Sequence, residues 1–144
     1  VAVSVKKGRS TVLDVEPPIG NTGEEVFRKL VAPNPQVFMV LNGHYHDSER
    51  ENTGRTSDNG EYHQVSQNDA GLPVYEMLSD YQGYDNGGDG WLRIIEFLPG
   101  EGEGGLDRIK VSTYSPTRND GEGDYQPGDA SNFYFDLEFE KRFR

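Results

Sequence analysis

The chain has 144 residues, a formal charge of -11, 33% apolar residues, 18 glycines, eight prolines and no cysteine. That charge works against binding a nucleic-acid backbone or an anionic membrane surface, and the missing thiols exclude a disulfide scaffold and a thiolate zinc site. With 16 aromatic residues (eight Tyr, seven Phe, one Trp) and a mean hydropathy of -0.80, the composition describes a turn-rich β domain rather than a disordered chain.

Val1 to Lys7 and Thr11 to Val15 read as strands, and Glu16-Pro17-Pro18-Ile19-Gly20 interrupts regular structure. The chain begins at Val1 rather than Met, with no signal peptide and no apolar run long enough to span a bilayer, so a trimmed, processed or partial chain is expected. Thr22-Gly23-Glu24-Glu25 is a capping box. The apolar positions Val26, Phe27, Leu30 and Val31 then predict a helix over 23–32, ended by Pro33-Asn34-Pro35.

Val37-Phe38-Met39-Val40-Leu41 is an uninterrupted apolar run, predicted as a strand buried on both faces. Gly43-His44-Tyr45-His46 comes next at its C-terminal end, and 47–60 is a polar loop. Further strands are predicted at 62–65, 73–78, 90–97, 109–114 and 133–139. The strand 90–97 is apolar on both faces and is predicted to be central, while 133–139 alternates as a half-buried strand should. Gly100–Gly105 makes a hairpin loop and 119–131 a second polar loop. The result is one predominantly β domain of the α+β class with one short helix, spanning 1–144.

Two histidines two positions apart, after a glycine and at the end of a buried strand, can turn toward one point. Neutral imidazole is a common ligand of first-row divalent metals, so His44 and His46 are the metal-ligand candidates. A second metal pattern runs from Asp85 to Glu96. It has acidic residues at the first, fifth and twelfth positions (Asp85, Asp89, Glu96) and Gly90 at the sixth, as a calcium loop has, but Gly87 stands at the third. A turn feeding a strand explains the same residues. Asp120, Glu122 and Asp124 read as a solvated loop, His63 as a surface or packing residue, and Trp91 as core.

The stretch from Val37 to His46 resembles the strand and Gly-His-x-His motif that closes the active site of calcineurin-like metallophosphoesterases. The resemblance continues through Val74–Gln82, Gly88–Arg93 and Ser112–Thr117, and upstream through Gly23–Pro35, so it covers residues 22–139. It implies the C-terminal part of a two-sheet sandwich flanked by helices. It also implies two divalent ions (Mn, Fe or Zn), with His44 on the second and His46 on the first, acting on a phosphate mono- or diester. Asp80, Tyr81 and Gln82 would border the substrate cleft. The other ligands of that family, an Asp-x-His, a Gly-Asp with a following bridging Asp, an Asn-His pair and a further histidine, are absent from this sequence.

The chain alone is therefore expected to be inactive, with the missing N-terminal half or self-association completing it. The resemblance leans toward an extracellular or periplasmic setting. The alternative is a non-catalytic, calcium-stabilised β module that binds sugars or proteins through Tyr81, Tyr84 and Tyr125.

Overall fold

The computed structural model describes residues 2–7, 10–15, 20–44, 57–58 and 60–143. β1 (Ala2–Lys7) and β2 (Ser10–Val15) pair antiparallel as a two-stranded sheet of their own, matching the two strands expected there.

The helix starts where the capping box puts it. Thr22 accepts from the Glu25 amide at 3.2 Å while the Thr22 amide donates to the Glu25 carboxylate at 2.9 Å, satisfying two otherwise orphaned donors. The same amide contact, together with Lys29, holds the Glu25 carboxyl below its usual range. One α-turn, α1 (Gly23–Val26), opens into a wider π-turn (Phe27–Val31), with the Ala32 amide reaching back to the Phe27 carbonyl at 2.8 Å.

The wider turn rotates the end of the helix away from a 3.6-residue repeat. Val31 and Ala32 are buried, while Val26 and Leu30 of the predicted stripe stay exposed, Leu30 at 60%. Asn34 closes the end with a side-chain bond to the Leu30 carbonyl at 2.6 Å.

Two four-stranded sheets form the body. The first has the order β3-β6-β5-β4, from β3 (Met39–Asn42), β4 (Ser57–Asp58), β5 (Glu61–Gln67) and β6 (Pro73–Ser79). Its β3–β6 pair is parallel, with Met39 opposite Tyr75 and Asn42 opposite Leu78; β5 runs antiparallel to both β6 and β4. The second sheet has the order β10-β8-β7, from β7 (Leu92–Leu98), β8 (Asp107–Ser115) and β10 (Phe133–Leu137), and the short β9 (Asp124–Tyr125) also pairs with β8. The glycine-rich hairpin loop expected after β7 is present.

One core joins the two sheets. Tyr75 and Met77 of β6 meet Ile109 and Val111 of β8 and Leu137 of β10, with Phe38, Met39, Ile95, Phe133, Phe135 and Phe139 packed around them. Phe139 is not the end of a strand, as expected, but opens a helical turn (Phe139–Arg142). There its ring lies 5.6 Å from Phe38 and 5.9 Å from Phe97, geometry typical of aromatic clusters. His63 packs as expected of a structural histidine, stacked on Phe133 at 3.8 Å.

Two positional expectations are corrected. The strand after Pro35 is an edge of its sheet among the described residues, and Leu41 is 62% exposed instead of buried. Burial on both faces needs a layer packed on each, and while Phe38 and Met39 pack against the core, no described residue covers Leu41. Similarly, among the described residues β7 is an edge and β8 is central. Trp91 falls just before β7, half-buried, with the Arg118 guanidinium 5.2 Å from its ring centroid.

Candidate functional site

Parallel strands deliver their C-terminal ends to one side of a sheet, so Gly43-His44 and Asp80-Tyr81-Gln82 emerge next to each other. Gly43 lies against the Ser79 carbonyl: a Cβ built on it would sit at 3.5 Å, an ordinary contact. His44 comes next with φ of 60°, a left-handed conformation that a non-glycine residue rarely adopts and that costs on the order of 1 kcal/mol. Its side chain is exposed, and its Nδ1 lies 3.2 Å from Gln82 Oε1. His46, the other member of the expected pair, falls outside the described residues.

The turn carrying Gln82 is tied down residue by residue. The Asp80 amide donates to the Gly60 carbonyl at 2.8 Å, and buried Asp80 accepts from the Gln82 amide at 2.9 Å. Gly60 has φ of +107°, and a Cβ there would run into the Asp80 carbonyl, so this close approach requires glycine. The Tyr81 hydroxyl donates to Glu61 Oε1 at 2.9 Å. Burial, opposed by the Arg93 charge and aided by that of Glu61, pushes the Tyr81 phenol up to about 12.

Glu61 is not among the candidates that the sequence pattern offers, yet it is 1% exposed and organises this end of the molecule. Its Oε1 accepts from Tyr81, from the Arg93 guanidinium and from Thr113 at 2.7 Å; its Oε2 accepts from Gln126 at 3.0 Å and Ser131 at 2.6 Å. A buried carboxylate is tolerable only when paired and hydrogen-bonded this fully, and removing one partner of a buried ion pair typically costs about 3–5 kcal/mol. The one hint in the sequence is Arg93, a cation on an otherwise apolar strand face, which calls for a buried counter-charge.

The remaining sequence candidates follow in the next turn, where Gly88 lies against the Tyr81 carbonyl, and in β7. Asp85 heads the tight turn Asp85–Gly88, and Asp89 accepts from Arg118 at 2.7 Å and Asn86 at 3.1 Å. Glu96 sits within β7, ion-paired with Lys110 at 3.0 Å. These three carboxylates are spread over a turn and a strand. Among the described residues no group of three or more His, Cys, Asp or Glu side chains gathers in one place.

Asn86, Asp89, Asn119 and Asp120 all adopt left-handed conformations and line a polar cleft of about 590 Å³ together with Arg118. Of the three tyrosines expected to be exposed, Tyr125 is, at 59%. Tyr81 and Tyr84 are half-buried instead, bonded to Glu61 and Gln126 respectively. Among the described residues no helix is long and apolar enough to cross a membrane.

No protein-family model matches the sequence, and no solved structure matches it. Over 97 residues, 65% of this chain, the sequence is 42% identical to the uncharacterized protein YvnB of Bacillus subtilis (strain 168). The chain spans only 6% of that protein's length.

Proposed function

We propose that this chain is the C-terminal portion of a dinuclear-metal phosphoesterase sandwich, contributing His44 and His46 to a site whose other ligands lie elsewhere. The observation that carries the reading is His44 itself. A strained, exposed histidine stands at the C-terminal end of a strand, with Nδ1 engaged by Gln82 and no partner for Nε2 among the described residues. Metal-binding histidines are oriented in this way, by a hydrogen bond to the nitrogen that does not ligate.

The donor set fits one corner of such a centre. His44 would hold one ion through Nε2, and His46 belongs beside it by the motif. Two divalent ions, when bound, supply an activated hydroxide and offset the charge of the transferring phosphoryl group. This chain's own contribution is to orient the His44 ring and to border the substrate with the Asp80–Gln82 turn. Exposed Leu41 and the edge that β3 leaves unpaired among the described residues fit a sheet that continues with further strands.

The test is calorimetric titration of Mn²⁺ into the chain and into His44→Ala, with turnover of p-nitrophenyl phosphate and its bis ester assayed alongside. The reading calls for weak, His44-dependent binding and no turnover. Binding indifferent to His44 would remove its support, and turnover abolished by His44→Ala would overturn the idea that the site is incomplete.

A second reading, a non-catalytic binding module, is favoured by exposed Tyr125. It lines an open groove of about 380 Å³ with Ile94, Glu96, Lys110, Ser112 and Asn132 on the β7–β8 sheet. Saturation-transfer contact of a saccharide with Tyr125 would support it.

A further inference from the structure

His44 is exposed, so burial does not choose which of its ring nitrogens carries the proton; its hydrogen-bond partner does. Among the described residues that partner is Gln82, whose Oε1 lies 3.2 Å from Nδ1; with the amide in this orientation the oxygen accepts and Nδ1 donates. Gln82 stands one residue after Tyr81, whose hydroxyl donates to Glu61, and two residues before Tyr84. The Tyr84 amide bonds the Tyr81 carbonyl at 3.0 Å, and its hydroxyl accepts at 2.9 Å from the same Gln126 amide that donates to Glu61. The Glu61 carboxylate thus holds the Gln82 turn at two points on either side of Gln82, directly through Tyr81 and through Gln126 to Tyr84. The backbone bond from Asp80 to Gly60 fixes the start of the same turn to the residue preceding Glu61.

We propose that Glu61 is a positioning residue: through Tyr81 and Gln126 it fixes the Asp80–Gln82 turn so that Gln82 takes the Nδ1 proton of His44, leaving Nε2 as the free, electron-pair-bearing nitrogen. This deepens the metal-site reading and rests on it for its purpose, though not for its test. An unconstrained neutral histidine favours the opposite tautomer, with the proton on Nε2, where the nitrogen facing a metal would be blocked. The buried network therefore selects the state of the ring that can bind. Arg93, Thr113 and Ser131, which also donate to Glu61, hold the carboxylate in place from β7, β8 and the loop before β10.

The experiment is long-range ¹H–¹⁵N correlation of the histidine rings in the full chain, without metal, at a pH where the rings are neutral. Wild type is compared with Gln82→Ala, Tyr81→Phe and Glu61→Gln. The wild-type His44 ring is expected mostly as the Nδ1–H tautomer and the Gln82→Ala ring mostly as Nε2–H. Tyr81→Phe and Glu61→Gln are expected part-way between, with the His63 signals unchanged as the internal control in Gln82→Ala and Tyr81→Phe.

If Glu61→Gln does not fold, Tyr81→Phe decides, because it removes a single hydroxyl. A wild-type ring already protonated on Nε2 would overturn the proposal. So would a Tyr81→Phe protein that loses stability yet keeps the wild-type tautomer, since that is the pattern of a merely structural contact. Failure of Mn²⁺ to bind would count against the metal reading and leave this result standing.

Discussion

At the scale of single residues, the molecule concentrates its unusual chemistry in a few places that can be perturbed one at a time. Gly60 combines a left-handed φ with direct contact to the Asp80 carbonyl. Gly60→Ala is therefore expected to lower stability by about 1–3 kcal/mol, read as a lower urea midpoint. It should also shift the amide resonances of Asp80, Tyr81 and Gln82.

His63 tests the core. Burial first, and the Arg93 charge second, lower its pKa below the ordinary 6.5, so the folded state prefers the neutral ring. Between that lowered value and about 6.5 the unfolded chain binds the extra proton, so stability falls as pH drops through this window. His63→Phe should flatten that part of the stability profile in urea titrations between about pH 7 and 5. An unchanged slope would mean that the ring is solvated.

Asp136 shows the opposite sign. Bonds from Arg108 at 2.7 and 2.9 Å, then the Glu103 amide, hold its carboxyl down to about 2. Its contribution is present above the usual carboxylate range and disappears only as pH falls toward about 2.

At the scale of elements, the sequence is informative where a local rule decides and silent where a neighbour decides. The capping box at Thr22, the alternation of Phe133, Phe135 and Leu137, and the glycine hairpin after β7 are set by residues close together in the chain, and all are present. The burial of Val37–Leu41 depends on which layers pack over each face, and the rank of β7 on which strands pair with it. A run of apolar residues does not carry that information.

Nor can pattern alone find Glu61. As a glutamate opening a strand it looks like a surface residue, and its burial depends on Arg93 and Thr113 of the facing sheet with Tyr81, Gln126 and Ser131. The His44 motif is legible because strand, glycine and histidine are contiguous. Its partner Gln82 comes from resemblance, and the contact between them comes from the parallel pairing of β3 and β6. The exposure of Leu41 carries its own prediction: Leu41→Lys should change the stability of this chain by no more than about 0.5 kcal/mol, as for an ordinary surface site. A loss of several kcal/mol in the urea midpoint would mean that another part of the chain covers Leu41.

At the scale of the whole molecule, two sheets share one core and gather their most ordered polar network at a single end, beneath His44. A polar cleft between the Asp85–Gly88 turn and Asp120 holds one acidic residue of the calcium pattern, Asp89, which is engaged by Arg118 and Asn86. The two regions give opposite answers to one question, namely where this strongly acidic chain meets a divalent cation first. An acidic surface gathers Mn²⁺ loosely wherever carboxylates cluster, whereas a poised imidazole gathers it at one place.

The most direct measurement is the site-resolved broadening of amide and histidine resonances on adding substoichiometric Mn²⁺, repeated with His44→Ala. Loss of signal confined to Gly43, His44 and the Ser79–Gln82 turn is predicted, together with its disappearance in the variant. Broadening centred on Asp85–Asp89 or Asp120–Asp124, and unchanged by His44→Ala, would contradict the metal-site reading and favour the calcium-stabilised module.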